Sequence, residues 1–186
     1  LGVKTFTTKA DLTKVTQVHS GDDLIAVLNA AKEGDYIAIM DNAEYIIYAE
    51  GDEDKTYTLD KSLTISGYYS SNRPTIKGGI TIAAAIKSLE LSNVIFKGED
   101  KAGGLLIMGT SPAEIETCKI NGCDISNYKN SIISNETKVN IGTITIQNSI
   151  ANNIGRDVID IRGGKLKSIE VSACTFNNTA RTFLRN

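Results

Sequence analysis

Tryptophan is absent from this chain of 186 residues, proline occurs twice and histidine once. Aromatic residues make up only 6 % of it, which argues against a platform that stacks rings on sugars. Tyrosine is the exception, with Tyr45, Tyr48, Tyr57, Tyr68 and Tyr69 gathered in the first half. The lone His19 has no Ser, Cys or second His to work with, which excludes a catalytic triad and a histidine-rich metal site. The three cysteines, Cys118, Cys123 and Cys174, are odd in number and lack CxxC or zinc-finger spacing. They read as small buried hydrophobes rather than as a disulfide scaffold. An excess of either charge is also missing: 20 Lys and Arg face 22 Asp and Glu. The chain therefore carries no electrostatic footprint for nucleic acid, and its scattered basic residues form no polybasic membrane patch. No apolar run approaches the ~20 residues that span a bilayer. No signal peptide is visible, and any export signal or lipid anchor is expected to have been removed ahead of Leu1.

What the sequence does contain is a repeat. The segments 89–98, 118–127, 144–153 and 169–178 superpose without gaps. Each puts small or apolar residues at the same four offsets. These are Leu89, Leu91, Val94, Phe96; Cys118, Ile120, Cys123, Ile125; Ile144, Ile146, Ser149, Ala151; and Ile169, Val171, Cys174, Phe176. The pattern is in-out-in, two residues, in-out-in, which two strands meeting at a corner produce. An amphipathic helix would repeat every three to four residues instead.

Taking the second inward residue as anchor, Ile39, Ile65, Leu91, Ile120, Ile146 and Val171 mark successive coils of about twenty-six residues. The longest interval, from Leu91 to Ile120, holds two insertions of loop composition, 99–104 and 109–114. A further apolar strand follows each anchor, at 105–108, 131–134, 158–161 and 182–184. The expected fold is all-β: a right-handed single-stranded parallel β-helix of about six coils, roughly 29 Å long at ~4.8 Å per coil.

The register assigns roles to other residues. Asn127, Asn153 and Asn178 fall at one corner, where stacked amides can bond along the column and tolerate a left-handed backbone. Cys123 and Cys174 lie two coils apart with Ser149 between them, ~9–10 Å and beyond disulfide reach.

A single domain is expected over 1–186, with an N-terminal extension at 1–17, a capping-helix region at 18–34 and coils over 35–186. The Ser20-Gly-Asp-Asp23 run resembles a capping box. Leu24, Ile25, Val27, Leu28 and Ala31 give the helix an apolar face, and Gly34 can end it. No comparable cap follows the last coil, so a further domain or a partner is expected over that end.

Charged residues gather on the later coils. Asp160 and Arg162 are expected on the outer face, with Lys165 in the next turn, Glu136 one coil before Arg162 and Arg185 one coil after Asp160. A surface ion-pair ladder accounts for this set. Asp157 and Asp160, with Asp124, are the local carboxylates a glycoside hydrolase would need. The acidic run 50–54 could bind Ca²⁺ but lacks the EF-hand pattern and reads as a solvated loop. Asn135-Glu-Thr137 and Asn177-Asn-Thr179 match N-glycosylation acceptors, which matter only in a eukaryotic secretory pathway.

The run from Val18-His-Ser-Gly-Asp-Asp-Leu24 through Ala30-Ala-Lys-Glu-Gly-Asp-Tyr-Ile37 resembles the opening of pectate-lyase-like β-helix proteins. Gly34, Asp35 and Ile37 match that opening and Tyr45 matches its later Tyr, while Asp41-Asn-Ala-Glu44 replaces the usual glycine-containing turn. Over residues 18–186 the chain looks closest to chondroitinase-B-like and alginate-lyase-like polysaccharide lyases. It also resembles β-helix domains of secreted glycan-utilisation proteins of gut Bacteroidetes.

The resemblance implies a carbohydrate-associated domain that is secreted, periplasmic or on the outer cell surface. As a non-catalytic module, it would contact glycan through the outer strand face and the 99–104 and 109–114 loops. As a lyase, it would use Arg162 or Lys165 as the base that removes the proton beside a uronate. Asp160, Glu136 and Arg185 would then contact substrate, and Asp157 with Asp160 would hold Ca²⁺ to neutralise the uronate carboxylate.

Overall fold

The structure, a computed structural model, describes residues 11–110, 112–137, 139–162 and 164–185. Most of the expected N-terminal extension (residues 1–10) therefore lies outside the described residues, as do Ser111 in the second insertion and Asn186. A single 3-10 turn at Leu12–Lys14 leads into β1 (Thr16–Val18) and α1 (Leu24–Ala30). Six three-stranded coils follow. The first is β2 (Asp35–Ile39), β3 (Glu44–Ile46) and β4 (Thr56–Leu59). The second is β5 (Leu63–Gly67), β6 (Thr75–Lys77) and β7 (Gly79–Ile82), and the third β8 (Ala85–Ser92), β9 (Ile95–Lys97) and β10 (Gly104–Met108). The fourth is β11 (Glu114–Asn121), β12 (Asp124–Tyr128) and β13 (Ser131–Ser134). The fifth is β14 (Asn140–Gln147), β15 (Ile150–Ile154) and β16 (Ile159–Asp160). The last is β17 (Lys165–Ser172), β18 (Thr175–Thr179) and β19 (Leu184–Arg185).

Every third strand pairs in parallel, giving one sheet of seven strands that starts at β1 and two sheets of six. Parallel crossovers of this kind are right-handed, and the molecule is a right-handed parallel β-helix. No helix among the described residues is long and apolar enough to cross a membrane.

Inward residues stack as the repeat requires. Leu63, Leu89, Cys118, Ile144 and Ile169 form one column, and Phe96, Ile125, Ala151 and Phe176 another. The Asn corner is present: Asn127, Asn153 and Asn178 take φ of 60°, 55° and 50°. Asn153 Nδ2 donates to Asn127 Oδ1 at 3.1 Å, and Asn178 Nδ2 to Asn153 Oδ1 at 3.2 Å. A second polar rung joins Asn148 to Asn121 at 2.9 Å. The three cysteines are free. Burial pushes the Cys118 thiol up to about 12 and that of Cys123 to about 11, so both remain protonated core groups.

Three expectations need correction. Ile37, not Ile39, pairs with Ile65, while Ile39 pairs with Gly67. Both isoleucines face the core, so a slip of two residues leaves the inward pattern intact and hides in the sequence. β1 straddles the expected boundary between the N-terminal extension and the capping-helix region, and it adds a strand to the seven-stranded sheet beside β2. Finally, Asp23 rather than Ser20 caps α1, its Oδ1 accepting from Ala26 N at 3.1 Å. Ser20 N instead donates to Asp41 Oδ2 at 2.9 Å.

The helix covers the first coil with buried Leu24 and Leu28, and Ile25, Val27 and Ala31 pack at its margin. At the other end the inward residues are open. Val171, Phe183 and Leu184 are about two-fifths exposed (38 %, 40 % and 42 %), whereas Ile146, Val158 and Ile159 one coil below are at 0–1 %.

Candidate functional site

The later-coil cluster assembles in the register the sequence implied: Ser134, Asp160 and Arg185 stack on β13, β16 and β19. Ile159 and Ile161 point into the core, so Asp160 between them projects outward. It faces outward as expected, and it is nevertheless 0 % exposed. Arg162 and Arg156 seal it. Arg162 Nε donates to Asp160 Oδ1 at 3.0 Å and Oδ2 at 3.1 Å, and Arg156 Nη2 stands 3.5 Å from Oδ2. Glu136 Oε1 closes the ring, accepting from Arg156 Nη1 at 3.1 Å and from Arg162 Nη2.

Hydrogen bonding to Asp160 pushes the Arg162 guanidinium further above its already high value. A guanidinium so held stays a cation and has no vacant site for a proton. The ring is thus a clamp that ties coil four to coil five.

Asp157 sits at the edge of this clamp. Its Oδ1 accepts from Thr182 N at 3.1 Å and Thr182 Oγ1 at 2.7 Å. Burial pushes its carboxyl up, but those bonds and the fields of Arg185 and Arg181 outweigh burial and hold it below its ordinary value. Asp157 Oδ2, Arg156 Nε and Ser131 Oγ are buried without a hydrogen-bond partner among the described residues. Asp157 and Asp160 do not fit a Ca²⁺ ion, which takes about six to eight oxygens. Both Asp160 oxygens are occupied by arginine, and no three His, Cys, Asp or Glu gather to hold a metal among the described residues.

Lys165 stands apart from the clamp. It lines a groove of about 890 Å³ along the corner where β13 leads into β14 and β16 into β17. The groove's accessible apolar lining is the partly buried Leu166 and the exposed Leu184, while Ile115 and Ile141, stacked with Leu166 in one column, are core residues at 0 % and 2 % exposure. On one wall are Glu114 and Glu116, on the other Lys165 and Lys167, with Asn140 and Gly142 between them. All four charged residues are exposed, and none of their side chains has a hydrogen-bond or ion-pair partner among the described residues.

A second cluster lies at the first insertion. Glu99, with φ of 53°, receives Tyr48 OH at 2.9 Å, Lys55 Nζ at 3.1 Å and Lys77 Nζ at 3.0 Å. Lys77 also pairs with Glu44 at 2.7 Å. The bonds from Lys77, Tyr48 and Lys55 bring the Glu99 carboxyl down to about 2 against the opposing effect of burial. Lys55 and Tyr48 also line a shallow groove of about 460 Å³ beside the acidic 50–54 loop.

Residues 50–179 match a family described as a domain of unknown function, DUF4957. The chain belongs to that family. The matched span takes in the clamp residues up to Thr179, both walls of the 890 Å³ groove and Glu99, but leaves out β1 and α1. No curated protein matches the sequence. Among solved structures, a mutant of the PL6 family alginate lyase AlyGC is similar, with a TM-score of 0.37 and 14 % identity over 91 % of this chain. The chain spans 37 % of that protein's length.

Sequence reasoning reached Lys165 and, as the end of the second insertion, Glu114. It passed over Glu116, Asn140, Gly142 and Lys167. The signal for them was available in the register: Ile115 pairs with Ile141 and Thr117 with Thr143, which places Glu116 beside Gly142.

Two outcomes check these assignments. Replacing Asp160 with alanine leaves two arginines facing each other over a buried gap and should lower unfolding stability by about 2–3 kcal/mol in urea titration. An unchanged midpoint would show that the clamp contributes nothing. For Glu99 the folded carboxyl titrates below the unfolded one. Its contribution is therefore complete above the ordinary value of 4.5 and fades as pH falls towards about 2. Glu99→Gln should be less stable at neutral pH by roughly 1–2 kcal/mol, after allowance for partial exposure. It should also lose less stability than wild type between those pH values.

Proposed function

We propose that this chain is a non-catalytic, carbohydrate-recognising β-helix domain of a secreted, periplasmic or cell-surface bacterial protein. The observation that carries the reading is the 890 Å³ groove, where Leu166 and Leu184 offer apolar surface beside charged side chains that make no ion pair. A sugar ring presents C–H faces and hydroxyl edges, and a groove of this build offers both a surface and partners. The glutamates accept from hydroxyls, the lysines donate to them, and the Asn140 amide does either. The non-catalytic half of the reading is supported by the arginine clamp, which leaves Arg162 and Asp160 without a free proton site or lone pair facing solvent. We further infer that another domain or a partner covers the last coil, supported by the exposure of Val171 and Phe183.

A second reading is a polysaccharide lyase acting on a uronate polymer, favoured by the position of Lys165 on the groove wall. There the Lys165 amine would take the proton beside the uronate carboxylate, the bond to the glycosidic oxygen would break as the ring double bond forms, and that oxygen would receive the proton.

A glycan array with wild type and a Lys165→Ala/Lys167→Ala double variant tests the first reading. Wild type should bind a subset of glycans, and the variant should lose about tenfold or more in affinity for them. An array blank above background would contradict glycan recognition. Growth of ultraviolet absorbance from an unsaturated product on uronate polymers would move the assignment to the lyase.

A further inference from the structure

The two walls of the groove are not placed at random. Pairing of Ile115 with Ile141 and Asn140 with Lys165 sets Glu114, Asn140 and Lys165 in one column across coils four, five and six. The adjacent column on the same face is Glu116, Gly142 and Lys167. In both, acid and base stand two coils apart, about 10 Å, with an uncharged residue between them. That distance exceeds the Debye length of ~8 Å in physiological salt, so the walls are screened from one another.

The middle rung is held open by geometry. A Cβ on Gly142 would lie 2.0 Å from the Glu116 carbonyl oxygen, so no side chain can stand between Glu116 and Lys167. Lys87, one coil before Glu116, lies in the field of Glu33 and forms no ion pair with the wall.

Accepting the glycan reading above, we propose that this groove selects zwitterionic glycans, with an amine-bearing sugar and a carboxylate- or phosphate-bearing sugar about 10 Å apart along the chain. An amine against Glu114 and Glu116 and an anion against Lys165 and Lys167 satisfy both walls at once. A polyanion meets the lysines but is repelled by the glutamates, and a polycation meets the reverse. Discrimination thus comes from the wall that repels as much as from the wall that attracts. The columns also fix polarity, so the ligand lies across the coils in one direction.

The test is a calorimetric titration with four oligosaccharides: chitin (neutral), chitosan (amine only), oligogalacturonate (carboxylate only) and carboxymethyl chitosan (both). The both-signed oligosaccharide should bind at least about tenfold more tightly than any of the others, and lose that margin in high salt. Glu114→Gln/Glu116→Gln should remove the preference by strengthening oligogalacturonate binding, and Lys165→Gln/Lys167→Gln by strengthening chitosan binding. These substitutions are at exposed positions, and circular dichroism of each variant is the control for its fold. Equal affinity for oligogalacturonate and the both-signed chain, unchanged by the glutamate substitutions, would overturn the selection while leaving glycan recognition standing. Binding of none of the four overturns the selection. If the array is blank as well, the glycan reading falls with it.

Discussion

Parallel stacking places each paired strand residue of this protein's coils over an equivalent one about 4.8 Å away. Along such columns identity is rewarded where like residues complement each other and penalised where they do not. Isoleucine over isoleucine packs. Asparagine over asparagine bonds, because each amide is donor and acceptor. Like charges repel, so ionisable residues in a column alternate, leave a gap or are neutralised by neighbours, as Glu44 and Glu99 neutralise Lys77 where it stacks on Lys97. The interior columns, the Asn127–Asn153–Asn178 corner and the charged outer faces all answer to this one rule.

The clamp and the groove are its two opposite solutions. Around Asp160, charges of opposite sign sit on adjacent rungs or within one turn, and they close into a ring with Arg156, Arg162 and Glu136. That ring consumes their capacity for chemistry. Along Glu116 and Lys167 a glycine rung intervenes, the side chains stay apart, and their capacity remains available to a ligand. The same composition thus yields scaffold at one corner and a polar groove at the next. Glu99 follows the first pattern, tied by lysines from two other coils and by Tyr48.

The scaffold was largely legible in the sequence because parity and period are one-dimensional. Cys118, Ile144 and Ile169 declare their column by spacing alone, and Asn153 declares the corner. Legibility failed where a shift preserves parity, as with Ile37 and Ile39, and where a strand is too short to show a period, as with β1. It failed at Asp160 for another reason. Strand alternation gives the direction of a side chain but not what folds over it, and the covering arginines come from its own flanking turns. The groove was missed because a glycine carries no pattern. Its meaning appears only once Glu116 and Lys167 are placed on either side of it.

The central claim is that ligand chemistry resides at the glycine-gapped columns and not at the arginine clamp. An amide NMR titration with a bound oligosaccharide tests this most directly. The account predicts shifts concentrated at Glu114, Glu116, Gly142, Lys165 and Lys167, with Arg156, Asp157 and Asp160 unmoved. Shifts centred on Arg156 and Asp160, with Glu116 and Gly142 unmoved, would contradict it.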